Sequence, residues 1–151
     1  MQNNKNMKKK KRLMLIGRSE AGKTTLSQAL KEKPIEYEKT QSISMDELLI
    51  DTPGEYIQTK NLGTALAIYS YEADVIGLLL GADEPYSLYS PCITGMTTKE
   101  VIGIITKIDH KNANIKNAEN WLKLAGCKTI FKVNSIASQG ITDIKKYLGW
   151  I

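Results

Sequence analysis

Residues 17–25 read Gly-Arg-Ser-Glu-Ala-Gly-Lys-Thr-Thr, directly after the apolar run Leu-Met-Leu-Ile at 13–16 and directly before Leu-Ser-Gln-Ala-Leu at 26–30. The pattern Gly-x-x-x-x-Gly-Lys-Thr between a strand and a helix turns consecutive backbone N–H groups toward a polyphosphate. The amino end of the helix adds its positive dipole. The sequence therefore predicts a phosphate-binding loop. The alternative is a chance match in an ordinary strand-to-helix turn.

Each chemical group of this loop has a role in the predicted site. The Lys23 ammonium can reach the β- and γ-phosphates, and the Thr24 hydroxyl can ligate Mg²⁺. Arg18 could add positive charge, although we expect its side chain to face solvent. Backbone N–H groups of the loop, and of one glycine further along the chain, can contact the phosphates. The predicted phosphate-binding residues are Gly17, Arg18, Ser19, Glu20, Ala21, Gly22, Lys23, Thr24, Thr25 and Gly54.

The length and the cysteine content limit the class of protein. With 151 residues, 42% of them apolar, the chain suits one α/β domain and is too short for two. No apolar run approaches the roughly 20 residues that cross a bilayer, so we expect a soluble, cytoplasmic protein without a membrane span.

Cys92 and Cys127 lie far apart and His110 is the only histidine. We therefore expect two reduced structural thiols and no cysteine–histidine metal site.

The net charge of +5 is concentrated at the amino terminus. Residues 1–12 carry six basic side chains and no acid, and the rest of the chain holds 15 basic and 16 acidic side chains. We predict a basic flexible tail over 1–12 and a single domain over 13–151. Because the charge belongs to the tail, no nucleic-acid binding by the domain is expected. The tail is either simply solvated or contacts an acidic protein surface or anionic lipid.

Apolar runs alternate with helical patterns in the way that is typical of a mostly parallel sheet covered on both faces. The predicted strands span 13–16, 40–44, 47–51, 75–81, 101–106 and 129–133, and the predicted helices span 23–31, 61–71, 115–125 and 141–148. Pro85, Pro91 and Gly95 argue against a long helix between the fourth and fifth strands. The prediction is a three-layer α/β/α domain of reduced size, with a mostly parallel six-stranded sheet.

A metal site is predicted where an apolar strand ends in an acid, in Leu-Leu-Ile-Asp-Thr-Pro-Gly at 48–54. Asp51 can hold Mg²⁺ directly or through water, opposite Thr24. Gly54 offers an N–H that can approach a γ-phosphate. Thr40 is the best candidate for a threonine that closes over Mg²⁺ and the γ-phosphate, although a plain loop threonine is an equal alternative.

A base-reading site is predicted at Thr-Lys-Ile-Asp, residues 106–109. The Asp109 carboxylate has two acceptors that match the adjacent N1–H and N2–H₂ donors of guanine, a pair that adenine lacks. Lys107 would lay its stem over the base, and Asn134–Ser135 follows the last strand where a backbone N–H could meet guanine O6. The predicted base-binding residues are Thr106, Lys107, Asp109, Asn134 and Ser135. The alternative is a solvated Lys-x-Asp pair at a strand end.

Four motifs follow one another along the chain, in order Gly-Arg-Ser-x-x-Gly-Lys-Thr-Thr, Lys-Thr-Gln, Asp-Thr-Pro-Gly-Glu-Tyr and Thr-Lys-Ile-Asp. Through these motifs the chain resembles the GTPase-like proteins of ethanolamine and propanediol utilisation, the EutP/PduV family. The resemblance spans about 13–150. It implies a Ras-like P-loop NTPase fold, a site for GTP or GDP with Mg²⁺, and association with bacterial microcompartments. An acetate-kinase-like activity has also been proposed for this family, so ATP stays an alternative nucleotide.

Three positions depart from related GTPases. Glu20 stands where translation-related and tRNA-modifying GTPases often carry Asn, which puts potassium-assisted hydrolysis in doubt. Glu55 stands where Ras-like enzymes place the glutamine that orients the attacking water, and it would repel a γ-phosphate unless protonated or rotated away. Asn134–Ser135 replaces the usual Ser-Ala pair beside guanine, which weakens the base-reading argument.

The expected function is a slow Mg²⁺-dependent GTPase or switch, with Lys23, Thr40 and Glu55 as catalytic residues and Thr24, Asp51 and Thr40 as metal ligands. One alternative is an acetate-kinase-like phosphotransferase that uses ATP or GTP. Another is a nucleotide-bound scaffold that docks on a microcompartment shell without significant turnover. The expected partners are the nucleotide and microcompartment shell or enzyme proteins.

Overall fold

A parallel sheet lies at the centre of the computed structural model, which describes residues 10–18, 21–31, 48–51 and 62–151. Its strands are β1 (Leu13–Ile16), β2 (Leu49–Asp51), β3 (Val75–Gly81), β4 (Glu100–Thr106) and β5 (Thr129–Lys132). They are arranged in the order β2-β1-β3-β4-β5, and every neighbouring pair is parallel. The residues of β1 and β3 are all buried, as expected for strands that are covered on both faces.

Helices cover both faces of the sheet. They are α1 (Lys23–Lys31), α2 (Leu62–Tyr69), α3 (Ile115–Ala125) and α4 (Ile141–Tyr147). Leu26 of α1 and Ile144 of α4 belong to one buried apolar cluster, whereas Leu66 of α2 and Leu122 of α3 belong to a second cluster. The two clusters lie on opposite faces of the strands, because Leu13 and Leu15 join the first and Met14 and Ile16 join the second. The predicted three-layer arrangement is therefore confirmed.

The predicted element bounds agree closely with the structure. The bounds of β1, β3, α1 and α3 match the prediction, while β4 begins one residue earlier and β5 ends one residue earlier. The predicted helix over 61–71 ends at Tyr69 and continues as a 3₁₀ turn at Ser70–Glu72, a common way for a last turn to tighten. Gly126 ends α3 in the left-handed conformation. The predicted sixth strand over 40–44 lies outside the described residues.

The strand register brings the carboxyl ends of the strands to one edge of the sheet. Leu15 is paired with Asp51, Gly81 with Thr106, and Ile105 with Lys132. In open parallel sheets, ligands bind in the crevice beyond this edge. The phosphate loop and the segments after β4 and β5 leave the sheet there, and β2 ends there at Asp51.

The connection between β3 and β4 is mostly loop, with a short 3₁₀ helix at Ile93–Met96, which agrees with the prediction. Tyr89 anchors this loop beneath the sheet edge. Its buried hydroxyl lies 3.0 Å from the carbonyl oxygen of Ile16 and 2.7 Å from that of Leu79. Burial, followed by the nearby charge of Glu84, raises the pKa of Tyr89 well above its ordinary value, so the hydroxyl keeps the proton that it donates.

The amino-terminal boundary of the domain lies earlier than predicted. The Lys11 N–H donates to the Leu148 carbonyl at 3.0 Å, the Trp150 indole N–H donates to the Lys11 carbonyl at 2.7 Å, and the Arg12 N–H donates to Asp74 at 2.8 Å. Lys11 and Arg12 are therefore part of the domain, because their backbone groups bond to residues of the carboxyl-terminal segment and to Asp74. Residues 1–9 of the predicted tail lie outside the described residues.

Replacing Tyr89 tests its role as the anchor of the loop after β3. Tyr89→Phe removes the hydroxyl that two buried carbonyl oxygens share, so we expect the free energy of unfolding to fall by about 1–3 kcal/mol. Urea denaturation followed by circular dichroism measures the change. Tyr86→Phe, at a half-exposed ring in the same loop, is the matched control and should change stability little. Equal losses in the two variants would contradict the anchoring role.

Candidate functional site

The phosphate loop leaves β1 at Gly17 and ends where α1 begins. A Cβ at Gly17 would lie only 2.9 Å from the Cβ of Leu79, so the close packing of the loop on β3 requires glycine there. Gly22 has a φ of 86°, a conformation that side chains disfavour, and α1 starts at the next residue. The Ala21 N–H donates to the Arg18 carbonyl at 3.0 Å. Ser19 and Glu20 lie outside the described residues.

The first turn of α1 presents side chains of different accessibility. Lys23 is the first residue of the helix, and the residue is 8% exposed. Thr24 and Thr25 are exposed, which leaves the Thr24 hydroxyl accessible to an ion. Burial of the lysine with exposed hydroxyls beside it is consistent with a helix start that contacts phosphate and metal.

The residues predicted to hold Mg²⁺ fall partly within the described structure. Asp51 ends β2 beside β1, where it is paired with Leu15, two residues before the phosphate loop. Thr40, Gly54 and Glu55 lie outside the described residues. No group of three or more His, Cys, Asp and Glu side chains that could hold a metal occurs among the residues described. Thr24 and Asp51 stay predicted Mg²⁺ ligands, since this ion is usually bound by one or two carboxylates together with phosphate oxygens and water.

A cleft of about 100 Å³ opens beside the phosphate loop. Its lining consists of Gly22, Thr25, Thr106, Lys107, Asp109, Asn134, Ser135 and Ile136. All five predicted base-binding residues thus line one concavity, together with two residues of the phosphate loop. The residues come from three separate parts of the chain, and the register of the parallel strands brings them together.

The end of β4 is joined directly to the phosphate loop. The Thr106 hydroxyl donates to the Ala21 carbonyl at 2.5 Å, and the Thr106 side chain is buried. Lys107 then adopts a left-handed φ of 58°, and its Cε lies about 4.0 Å from where a Cβ of Gly22 would be. The Lys107 stem therefore lies along the phosphate loop, and Asp109 follows as an exposed residue at the cleft.

The segment after β5 forms a short turn at the other side of the cleft. Asn134 and Gln139 exchange backbone hydrogen bonds at 3.0 and 2.9 Å, and the Asn134 carboxamide oxygen accepts from the Ala137 N–H at 3.3 Å. The Asn134 side chain thus stabilises its own turn. Ile136, which the sequence analysis missed, is 89% exposed at the rim of the cleft. The signal that could have indicated it is an apolar residue in an otherwise polar turn.

Arg18 does not face solvent as predicted. Its side chain is 22% exposed, Nη1 lies 3.3 Å from Oε1 of Glu84, and the guanidinium carbon lies 5.6 Å from the centre of the Tyr86 ring. The reason is that the loop after β3 leaves the same edge of the sheet as the phosphate loop, which places an acid beside the arginine. Glu84 was not predicted, although the acidic pair Asp83–Glu84 at a strand end was a signal for it.

The two cysteines differ in environment. Cys127 is buried, and burial raises the pKa of its thiol to about 12, as expected for an unreactive structural cysteine. Cys92 is an exposed free thiol, so the prediction that both cysteines are structural holds for Cys127 alone. Within the described ranges, no helix is both long enough and apolar enough to cross a membrane.

Comparison with known proteins identifies the family. The sequence matches PduV-EutP, described as "Ethanolamine utilisation - propanediol utilisation", over residues 10–150. The chain belongs to the PduV-EutP family. It is 40% identical over 139 residues to "Propanediol utilization protein PduV" of Citrobacter freundii, covering 91% of this chain and 93% of the relative. It is 30% identical over 141 residues to "Probable acetate kinase EutP" of Escherichia coli strain K12, covering 91% and 89%.

Solved structures show the fold of this PduV-EutP protein. The "probable GTP-binding protein engB" is similar with a TM-score of 0.60 and 17% identity, over 89% of this chain and 94% of that chain. The FeoB G-domain of Methanococcus jannaschii is similar with a TM-score of 0.62 and 18% identity, over 93% and 96%. The predicted P-loop GTPase fold is therefore confirmed, with five strands in the described part of the sheet.

The hydrogen bond between Thr106 and the phosphate loop can be tested by a nearly isosteric change. Thr106→Val leaves the buried Ala21 carbonyl without its hydroxyl donor, so we expect a loss of about 1–3 kcal/mol in the free energy of unfolding. Urea denaturation measures it. Thr106→Ser keeps the hydroxyl and should recover most of the loss. A serine variant as unstable as the valine variant would show that packing of the methyl group, rather than the hydrogen bond, stabilises this contact.

Proposed function

We propose that this protein binds GTP with Mg²⁺ and hydrolyses it slowly, as a switch in propanediol or ethanolamine utilisation. The observation that carries the proposal is the single cleft in which two phosphate-loop residues, Gly22 and Thr25, adjoin the side chains suited to read a guanine base. Membership of the PduV-EutP family and the P-loop GTPase fold support it.

In this proposal the phosphates lie over the amino end of α1. The backbone N–H groups of residues 17–25, with that of Gly54, would donate to phosphate oxygens, and the Lys23 ammonium would pair with the β- and γ-phosphates. Thr24, Asp51 and Thr40 would hold Mg²⁺, which when bound neutralises phosphate charge. The position of Lys23 as the first residue of α1 supports this role, because phosphates bind at helix amino ends.

The base would occupy the cleft between the turns that follow β4 and β5. Asp109 would accept from the N1–H and N2–H₂ groups of guanine, and the backbone of Ser135 would donate to O6. Thr106 would hold this side of the cleft against the phosphate loop through Ala21. A carboxylate at this point favours guanine over adenine, because adenine has no matching pair of donors.

Slow turnover follows from the residues proposed near the γ-phosphate. Glu55 replaces the water-orienting glutamine of Ras-like enzymes, and the Arg18 guanidinium contacts Glu84 and Tyr86. We expect unassisted hydrolysis at about 10⁻⁴ to 10⁻³ per second, the rate of GTPases that lack an arginine finger. Such a protein acts through a partner that recognises its nucleotide state, and we propose a microcompartment shell or enzyme protein.

Phosphoryl transfer to acetate is the second candidate, because relatives at 30% identity are named "Probable acetate kinase EutP". This reaction needs a positive group that binds the acetate carboxylate near the γ-phosphate. Arg18 and Arg12 are the two arginines of the chain. Arg18 contacts Glu84, and Arg12 donates to the Glu72 carbonyl at the opposite end of β1. Neither of these two arginines supports an acetate site, so the switch is the first candidate.

The deciding experiment is the affinity of the purified protein for GTP and for ATP, each with Mg²⁺, by titration with fluorescent nucleotides. Strong preference for GTP supports the switch. Equal binding, or preference for ATP, overturns the guanine assignment and makes formation of acetyl phosphate from acetate the next assay. Tight binding of GTP without measurable turnover favours a nucleotide-bound scaffold that docks on a microcompartment shell.

Removing the lysine of the phosphate loop tests the phosphate site. Lys23→Ala should weaken GTP binding by about a hundredfold or more, since charged hydrogen bonds to two phosphates are lost. The same titration measures the loss, and Lys31→Ala, at the other end of α1, is the matched control. Retention of tight binding by Lys23→Ala would remove the phosphate-loop assignment from all three proposed functions.

Changing the acceptor pattern of Asp109 tests the base assignment. In Asp109→Asn one acceptor becomes an amide donor, which matches the O2 acceptor of xanthine rather than the N2–H₂ donors of guanine. We expect GTP affinity to fall by about tenfold or more and preference to shift toward xanthosine triphosphate. Competition titrations with the two nucleotides measure this, with Asp143→Asn on the exposed first turn of α4 as control. An unchanged preference would show that Asp109 does not read the base.

A further inference from the structure

The loop after β3 contacts the phosphate loop and the residue directly before it. Tyr89 lies at the carbonyl of Ile16, the residue that precedes Gly17, and Glu84 lies at the side chain of Arg18. These contacts join parts of the chain that are 73 and 66 residues apart. The position of the first part of the phosphate loop therefore depends on this second loop as well as on β1.

Both carboxylate oxygens of Glu84 have a partner. Oε2 accepts from the backbone N–H of Gly81 at 2.7 Å, and Oε1 lies 3.3 Å from Nη1 of Arg18. The Glu84 side chain is 9% exposed. Because one oxygen is held by the end of β3, the carboxylate has a fixed position from which the other oxygen can orient the guanidinium.

The Arg18 guanidinium is also in contact with an aromatic ring, since its central carbon lies 5.6 Å from the centre of the Tyr86 ring. A cation over an aromatic face adds a second restraint. Glu84 and Tyr86 together keep the Arg18 side chain against the loop after β3. The backbone of Arg18 belongs to the phosphate loop, where its carbonyl accepts from Ala21.

We propose that Glu84 is a positioning residue of the nucleotide site. Its ionised carboxylate holds Arg18 and thereby keeps the first turn of the phosphate loop in the shape that binds phosphate. This inference rests on the proposed function. It predicts that loss of the Glu84 charge weakens nucleotide binding, even though Glu84 does not touch the nucleotide.

The charge of Glu84 can be removed by mutation or by acid. Burial raises the pKa of Glu84, while the Gly81 N–H and Arg18 lower it and the charge of Asp83 raises it. The other ionisable groups that face this cluster are Tyr89, which interacts electrostatically with Glu84, and His110, whose Nε2 lies 3.8 Å from Asp83. Because His110 lies beside Asp83, it is given its own control.

Stability and binding should respond to acid in opposite directions. The pKa of Glu84 is raised above its ordinary value, so its contribution to the free energy of unfolding is complete below that value and is lost as pH rises through the folded-state pKa. Acidification thus adds stability through Glu84. Under the proposal it also discharges the carboxylate that holds Arg18, so affinity falls. A merely structural ion pair would leave the affinity of the folded protein unchanged.

The experiment titrates the full-length protein with fluorescent GTP and Mg²⁺ from about pH 7.5 to about pH 5. The nucleotide phosphate itself takes up a proton in this range, which changes the Kd of every variant. The measured quantity is therefore the ratio of the Kd of Glu84→Gln to that of the wild type, in which this change cancels. We expect a ratio of about ten at the upper pH. The ratio should decline as the pH is lowered, because the wild-type carboxylate has a raised pKa and takes up protons on acidification. Thermal unfolding at each pH verifies that both proteins are folded.

Two control variants exclude general charge effects. Glu100→Gln removes the carboxylate from an ion pair with Lys11, 4.0 Å long and at the amino end of β4, opposite the nucleotide edge, and should bind GTP like the wild type. His110→Asn should keep the acid-side loss of affinity, which assigns that loss to Glu84. An acid-side loss that disappears in His110→Asn would overturn the assignment.

A double-mutant cycle tests whether Glu84 acts through Arg18. Arg18→Gln should weaken GTP binding, and adding Glu84→Gln should weaken it no further, since the two side chains act as one unit. Additive losses would overturn the proposal. If the wild type binds GTP and the Kd ratio stays at one across the pH range, the role of Glu84 is wrong and the proposed function stands. If the wild type does not bind GTP, both fall.

Discussion

Parallel pairing of β1 with β2 on one side and β3 on the other is the constraint on which the rest of the structure depends. It aligns Leu15 with Asp51 and with Gly77, so that the carboxyl ends of β1, β2 and β3 lie at one edge of the sheet. Continuous apolar sequence in β1 and β3 stabilises the pairing, because these strands are buried on both faces. The cleft beside the phosphate loop forms because this strand pairing brings side chains that are distant in sequence to the same edge.

Long-range contacts then hold the edge together. Thr106 bonds to the carbonyl of Ala21, Tyr89 lies between β1 and β3, and Glu84 lies against Arg18. In each contact, a segment after β3 or β4 restrains the start or the end of the phosphate loop. Gly17 packs closely on β3 and Gly22 has a positive φ, so the motif itself shapes part of the loop. Contacts from outside the motif add further restraints.

Much of the fold could be predicted from the sequence. The apolar runs at β1 and β3 are bounded by polar residues or glycine, and α3 has Asn114 as its amino-terminal cap and Gly126 at its end, so their limits carry local signals. The base-site residues were predicted from their place after strand ends, and the structure brings them into one cleft. Glu84 and Tyr89 were missed as contacts at the start of the phosphate loop, because a strand-end acid and a single tyrosine in a proline-containing loop carry no pattern that names their partners.

The sequence by itself determined the strand–loop–helix unit around Lys23, the family and the three-layer fold, because backbone preferences, apolar periodicity and motif spacing are local properties of a chain. Only the tertiary structure decided where Arg18 points, which loop holds it, and that Lys11 packs against Trp150. These contacts join residues 66 and 139 positions apart. The packing of strands and loops at the sheet edge and beside β1 selects these partners. No local sequence pattern near either side chain encodes that packing.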